Sequence, residues 1–149
     1  MTQTIKFTIP INPKGAQRPR FTKRGHAYTH KDMVNFQATV RDFAYRIMTC
    51  EETPAYNIIH NPFTGPVELN VIFYFKRPLS KIWKIKDMPQ YRYTSTPDID
   101  NLLKNILDGL NGVVWLDDRQ VCKSMQEKWV CAGEDNRPRI EIEIRELSN

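Results

Sequence analysis

Between Leu102 and Leu110 the chain repeats apolar residues at helical spacing. Leu102, Leu103, Ile106, Leu107 and Leu110 form one stripe, and Asn111-Gly112 follows with the residue type that ends a helix in a left-handed turn. A helix with one apolar face has to bury it against a broader surface. Three segments with strand periodicity offer that surface: Ile5, Phe7 and Ile9; Val67, Leu69, Val71, Phe73 and Phe75; and Ile140, Ile142 and Ile144. Ile72 and Tyr74 lend the middle segment apolar character on its other side, which predicts a central strand. A second amphipathic helix is expected over about Lys31–Met48, where Met33, Phe36, Val40, Phe43, Ala44 and Ile47 step by three and four. With a further strand over roughly Gln120–Val130, the expected order is βαβαββ. This is an α+β fold, a small mixed β-sheet carrying two helices on one side.

The 149 residues suit one domain spanning 1–149, and 40% hydrophobic with 26% charged residues excludes a disordered chain. Cys50, Cys122 and Cys131 form no C-x-x-C pair, and His26, His30 and His60 lack ligand spacing, so neither a disulfide framework nor a zinc site is indicated. No G-x-S-x-G or P-loop is present, and no small-molecule organic cofactor is expected. No apolar run approaches the roughly 18 residues of a membrane span. A reducing cytoplasm and no membrane partner are the expectation.

Net charge is +5, but its distribution is uneven. Lys6, Lys14, Arg18, Arg20, Lys23, Arg24 and Lys31 precede or accompany the first carboxylate, Asp32, whereas the rest of the chain is slightly acidic. An acid-free basic segment suits a polyanion such as nucleic acid, or else a solvated tail. A second turn-rich stretch, Pro78 to Pro97, interleaves basic residues with Trp83 and Tyr91, a combination suited to backbone tracking and base stacking.

The candidate chemistry lies at Pro97-Asp98-Ile99-Asp100-Asn101, Lys104 and Asp117-Asp118. If Asp98 and Asp100 are extended, both carboxylates project from one face, and such hard oxygen ligands suit Mg²⁺ or Mn²⁺. They could equally cap the following helix. Asp117-Asp118 is either a surface turn or a second acidic pair returned to the head of that helix. Lys104 lies one turn after Asp100, placed for an ordinary i,i+4 pair or for contact with a scissile phosphate. Asp108, about 12 Å further along the axis, reads as structural.

The run P-D-I-D-N-L-L-K-N-I-L-D-G-L-N-G-V-V-W-L-D-D-R-Q-V, Pro97 to Val121, resembles the signature of the RusA family of Holliday junction resolvases, small metal-dependent endonucleases often carried by prophages. Pro13-Lys14-Gly15 with Arg18-Pro19-Arg20 is similar to that family's N-terminal basic motif. The resemblance implies metal-binding aspartates at Asp98, Asp100 and Asp118 and an essential lysine at Lys104. It also implies a homodimer that cuts four-way DNA junctions by paired nicks in recombination and repair, with Mg²⁺ as cofactor and Mn²⁺ as a possible substitute. Lys14, Arg18, Arg20, Lys23 and Arg24 are expected to bind DNA phosphates. Two other classes compete: a non-catalytic DNA-binding accessory protein, and a metal-dependent phosphohydrolase of nucleotides.

Overall fold

The computed structural model describes residues 2–17, 20–28, 31–49 and 61–149. Cys50, residues 51–60, Arg18 and His30 lie outside the described residues. In chain order the elements are β1 (Thr4–Ile9), β2 (Arg20–Phe21), β3 (Ala27–Tyr28), α1 (Lys31–Thr49), β4 (Val67–Phe75), β5 (Tyr91–Arg92), α2 (Ile99–Leu110), β6 (Val121–Val130) and β7 (Arg139–Glu146).

Five strands form a mixed sheet in the order β1-β7-β4-β6-β5, so β4 is central as its two-sided apolar pattern requires. β7 pairs antiparallel with β1 and β4, and β5 antiparallel with β6, while β4 and β6 are parallel. The register aligns the alternating residues into rows: Ile5–Ile144–Leu69, Phe7–Ile142–Val71 and Ile9–Ile140–Phe73. Those rows face Phe36, Val40, Ala44 and Met48 of α1 and Leu102, Ile106 and Leu110 of α2, and all are buried in one cluster. The helices approach closely where α2 carries Gly109, since a Cβ there would stand 2.8 Å from Val40 Cγ1.

Among the described residues no helix covers the opposite face of the sheet. Its cross-strand partners are charged or aromatic: Lys6 pairs with Glu143 at 3.0 Å, Arg139 lies over Tyr74 at 3.9 Å, and Arg92 lies over Trp129 at 3.7 Å.

Two-residue strands are invisible to periodicity, and three of them occur among the described residues: two in the basic segment and one in the turn-rich stretch Pro78–Pro97. β2 and β3 form a hairpin closed by Thr22 N–H to His26 O and Gly25 N–H to Thr22 O, with Gly25 at φ 81°. The hairpin sets Lys23 and Arg24 at its exposed tip. β5 lies within the expected loop Pro78–Pro97 and closes the sheet edge beside β6.

The parallel pair has the most consequence for function. The chain must return from the end of β4 to the start of β6, and α2 makes that return. The head of α2 therefore lies toward the end of β6, and its tail toward the beginning.

Candidate active site and nucleic-acid interface

The head of α2 is held from two sides. Gly15 of the basic segment packs on Pro97, where an added Cβ would come within 2.7 Å of the proline Cβ. Ala16 N–H donates to Asn101 O at 3.0 Å, and the fully buried Asn105 donates to Lys14 O at 3.1 Å while accepting from Gln37 at 2.8 Å. A cleft of about 310 Å³ opens there, lined by Lys14, Gly15, Gln17, Asp32, Met33 and Pro97 among others. From the sheet side, Lys128 Nζ donates to Ser95 O and Pro97 O, both at 2.7 Å. Tyr93 stacks on Phe75 with centroids 3.9 Å apart and donates its hydroxyl to Thr96 O. The five residues before Asp98 are thus fixed to the sheet.

On this mount Asp98 is the extended residue before α2, its carbonyl accepting from Leu102 N–H. Its carboxylate makes no capping hydrogen bond. Asp100 lies in the first turn of the helix, so the two are not both extended as the sequence suggested, because the helix begins at Ile99 rather than at its first buried residue, Leu102. Asp98, Asp100 and Lys104 are exposed, and among the described residues none forms a hydrogen bond or ion pair through its side chain. The capping and i,i+4 roles open to them in sequence are therefore not taken up.

The second acidic pair divides between the two roles open to it. Asp117 caps a short 3-10 turn, Asp118–Gln120, accepting from Arg119 N–H at 3.0 Å, and that bond holds its carboxyl below the usual range. Gln120 completes the turn by accepting from Leu116 and Asp117 N–H and donating to Phe63 O and Gly65 O. Asp118 is left without a cap. Burial, then the neighbouring Asp117 and Asp108, push its carboxyl above the ordinary value. Asp108, whose sequence position reads as structural, contributes charge to this second group.

Within one chain the two groups do not meet. Asp118 opens the 3-10 turn that leads into the start of β6 and feels Asp108 in the second half of α2, whereas the head of α2 is tied to Lys128 near the end of that strand. Of the two readings open to Asp117-Asp118 in sequence, the chain forms the turn, and Asp108 in the second half of α2 is the helix carboxylate that acts on Asp118. Among the described residues no three histidine, cysteine or carboxylate side chains stand close enough to hold a metal ion. Chemically the donors fit a hard divalent cation: two uncommitted carboxylates at one end of α2, and at the other a carboxylate whose charge is destabilised by its neighbours.

Of the expected DNA-binding residues, Lys14 lies at the cleft and Lys23 and Arg24 at the hairpin tip; the backbone of Arg20 is in β2, and Arg18 is outside the described residues. Lys128 and Tyr93 were not found from sequence, since their partners lie 31 and 3 positions away across a register that only the sheet reveals.

Residues 10–145 match the family described as Endodeoxyribonuclease RusA, and the chain belongs to that family. It is also 31% identical to YqaN of Bacillus subtilis (strain 168) over 149 residues, 97% of each chain. No helix among the described residues is long and apolar enough to cross a membrane.

Proposed function

We infer that the protein is a metal-dependent endodeoxyribonuclease that resolves four-way DNA junctions by paired nicks, working in the cytoplasm as a homodimer. The observation that carries this reading is the head of α2: Asp98, Asp100 and Lys104 are uncommitted there, and the basic segment is bonded to the same turn through Lys14 and Ala16. A four-way junction is roughly two-fold symmetric, and a closed two-fold dimer presents two equivalent sites to strands of like polarity.

Asp98, Asp100 and Asp118 would hold Mg²⁺, or Mn²⁺ in its place, and the ion would supply activation of the attacking water and stabilisation of the leaving oxygen. Because Asp118 stands at the far end of α2 from the other two, the set closes when a second copy presents its Asp118 to this helix head. Each dimer site then draws on both chains. Lys104, one turn beyond Asp100, offsets negative charge developing on the phosphate, and the positive end of α2 adds to it. Lys14, Arg18, Arg20, Lys23 and Arg24 hold phosphates without reading sequence.

The test is a labelled synthetic four-way junction incubated with the purified protein, with and without Mg²⁺. Symmetric cuts in opposed strands only when Mg²⁺ is present are expected. Tight junction binding without cleavage would instead make the protein an accessory DNA-binding factor. Hydrolysis of nucleotides with no effect on the junction would make it a phosphohydrolase.

A further inference from the structure

The segment between β4 and β5 is braced from within and apolar at its outer end. Arg77 is 2% exposed, and its guanidinium donates to Lys81 O at 2.6 Å, Pro89 O at 2.9 Å and Cys131 O at 3.3 Å. The same group lies 5.3 Å from the Trp83 ring and 5.4 Å from the Tyr91 ring. Gly133 N–H donates to Met88 O, tying the segment to the turn after β6. A loop fixed by a buried charge and three carbonyls holds one shape.

What this rigid mount displays is unusual for a surface. Ile85 is 97% exposed and Leu79 is 83% exposed. Lys84 and Lys86 flank Ile85, and with Lys81 they are exposed and pair with no carboxylate among the described residues. An aliphatic tip between lysines complements a ligand that has an apolar face bordered by anions. Stacked bases edged by phosphates are such a ligand, but a continuous duplex hides its base faces. A branch point exposes them. The segment also leads along the chain through β5 and the fixed residues 93–97 to Asp98, at the proposed catalytic turn.

We propose that Ile85, presented on the Arg77-braced loop and flanked by Lys84 and Lys86, is a wedge that packs on the base pairs exposed at a DNA branch point, giving the protein preference for branched over linear DNA. This rests on the reading of the protein as a junction nuclease. The lysines supply affinity for any DNA, and the isoleucine supplies the discrimination.

The experiment uses the full chain with Asp100→Asn to prevent cleavage, a four-way junction carrying 2-aminopurine beside the branch point, and a linear duplex of matching sequence. Binding should raise 2-aminopurine fluorescence as the base unstacks. Adding Ile85→Ser should remove that rise and cut the ratio of junction to duplex affinity by about tenfold, the scale of one lost base contact. Being fully exposed, the substitution should leave the melting temperature unchanged. Lys84→Gln with Lys86→Gln should weaken junction and duplex alike and keep the rise at saturation. Retention of both the rise and the ratio in the Ile85→Ser protein overturns the wedge while the nuclease reading stands. Equal affinity for junction and duplex in the parent protein overturns both. Binding to vesicles of anionic phosphatidylglycerol that Ile85→Ser abolishes, with fluorescence unaffected, would assign the loop to a membrane surface and overturn the proposal.

Discussion

At the scale of single residues, the site is defined by which carboxylates the fold uses for itself. Asp117 is consumed by its own turn and shares a hydrogen bond with Asp118, whereas among the described residues Asp98 and Asp100 are left over. Asp100→Asn should abolish cleavage in a junction assay while leaving junction affinity equal or higher, because it removes a ligand and a negative charge near DNA. The loss of its favourable place at the helix N-terminus should cost no more than about 1 kcal/mol in urea unfolding. Near-normal cleavage by this variant would remove Asp100 from the metal set. Lys128 belongs to the same argument at one remove, since its ammonium holds the Ser95 and Pro97 carbonyls just before Asp98 and lies over the Tyr93 ring. Lys128→Ala should destabilise the fold by about 2 kcal/mol, in line with charged hydrogen bonds, and lower kcat more than DNA affinity. A pure loss of stability at unchanged kcat would make Lys128 merely structural. The aspartates were legible in sequence because their spacing is local; Lys128 was not, because its role depends on a strand register linking positions 31 apart.

At the scale of elements, the long periodic segments were legible and the short ones were not. β1, α1, β4 and β7 fall where alternation or the three-four repeat places them, since each buries one face over enough residues to leave a pattern. The hairpin β2–β3 and the edge strand β5 have two residues per strand, too few to show a period. Nor does α2 reveal its first turn, because Ile99, Asp100 and Asn101 are all exposed. The α1–α2 contact gives a sharp test. Gly109→Ala improves intrinsic helix propensity by about 1 kcal/mol, but its Cβ would meet the fully buried Val40, and overpacking costs about 1–3 kcal/mol. The variant should be net destabilised, and adding Val40→Ala should recover part of the loss as a favourable coupling. Additive effects would show that the helices do not touch there. On the open sheet face, the Lys6 ammonium bonded to Glu143 holds that carboxyl below its usual value. This stability is complete above the unfolded value and is lost as pH falls through the folded one. Lys6→Met should flatten the acid limb of urea stability against pH; an unchanged limb would show that the pair is broken in solution.

At the scale of the whole molecule, the parallel pairing of β4 with β6 decides how a nuclease site can be assembled. It sends α2 back along the sheet and separates Asp118 from Asp98 and Asp100, so sequence proximity within Pro97–Val121 was a poor guide to proximity in space. The basic segment shows the reverse: the Lys14 carbonyl is 91 positions from Asn105 yet bonded to it, which brings the basic segment to the head of α2. If the second copy completes each site, two inactive chains can repair one another. The direct measurement co-expresses an Asp100→Asn chain with an Asp118→Asn chain, isolates the mixed dimer through separate tags, and incubates it with Mg²⁺ and a supercoiled plasmid bearing a cruciform. One composite site then carries both substitutions and the other carries neither. Wild type should linearise the plasmid, each variant alone should leave it supercoiled, and the mixed dimer should give nicked circles; a mixed dimer as inert as its parents, beside an active wild type, would contradict a site shared between chains.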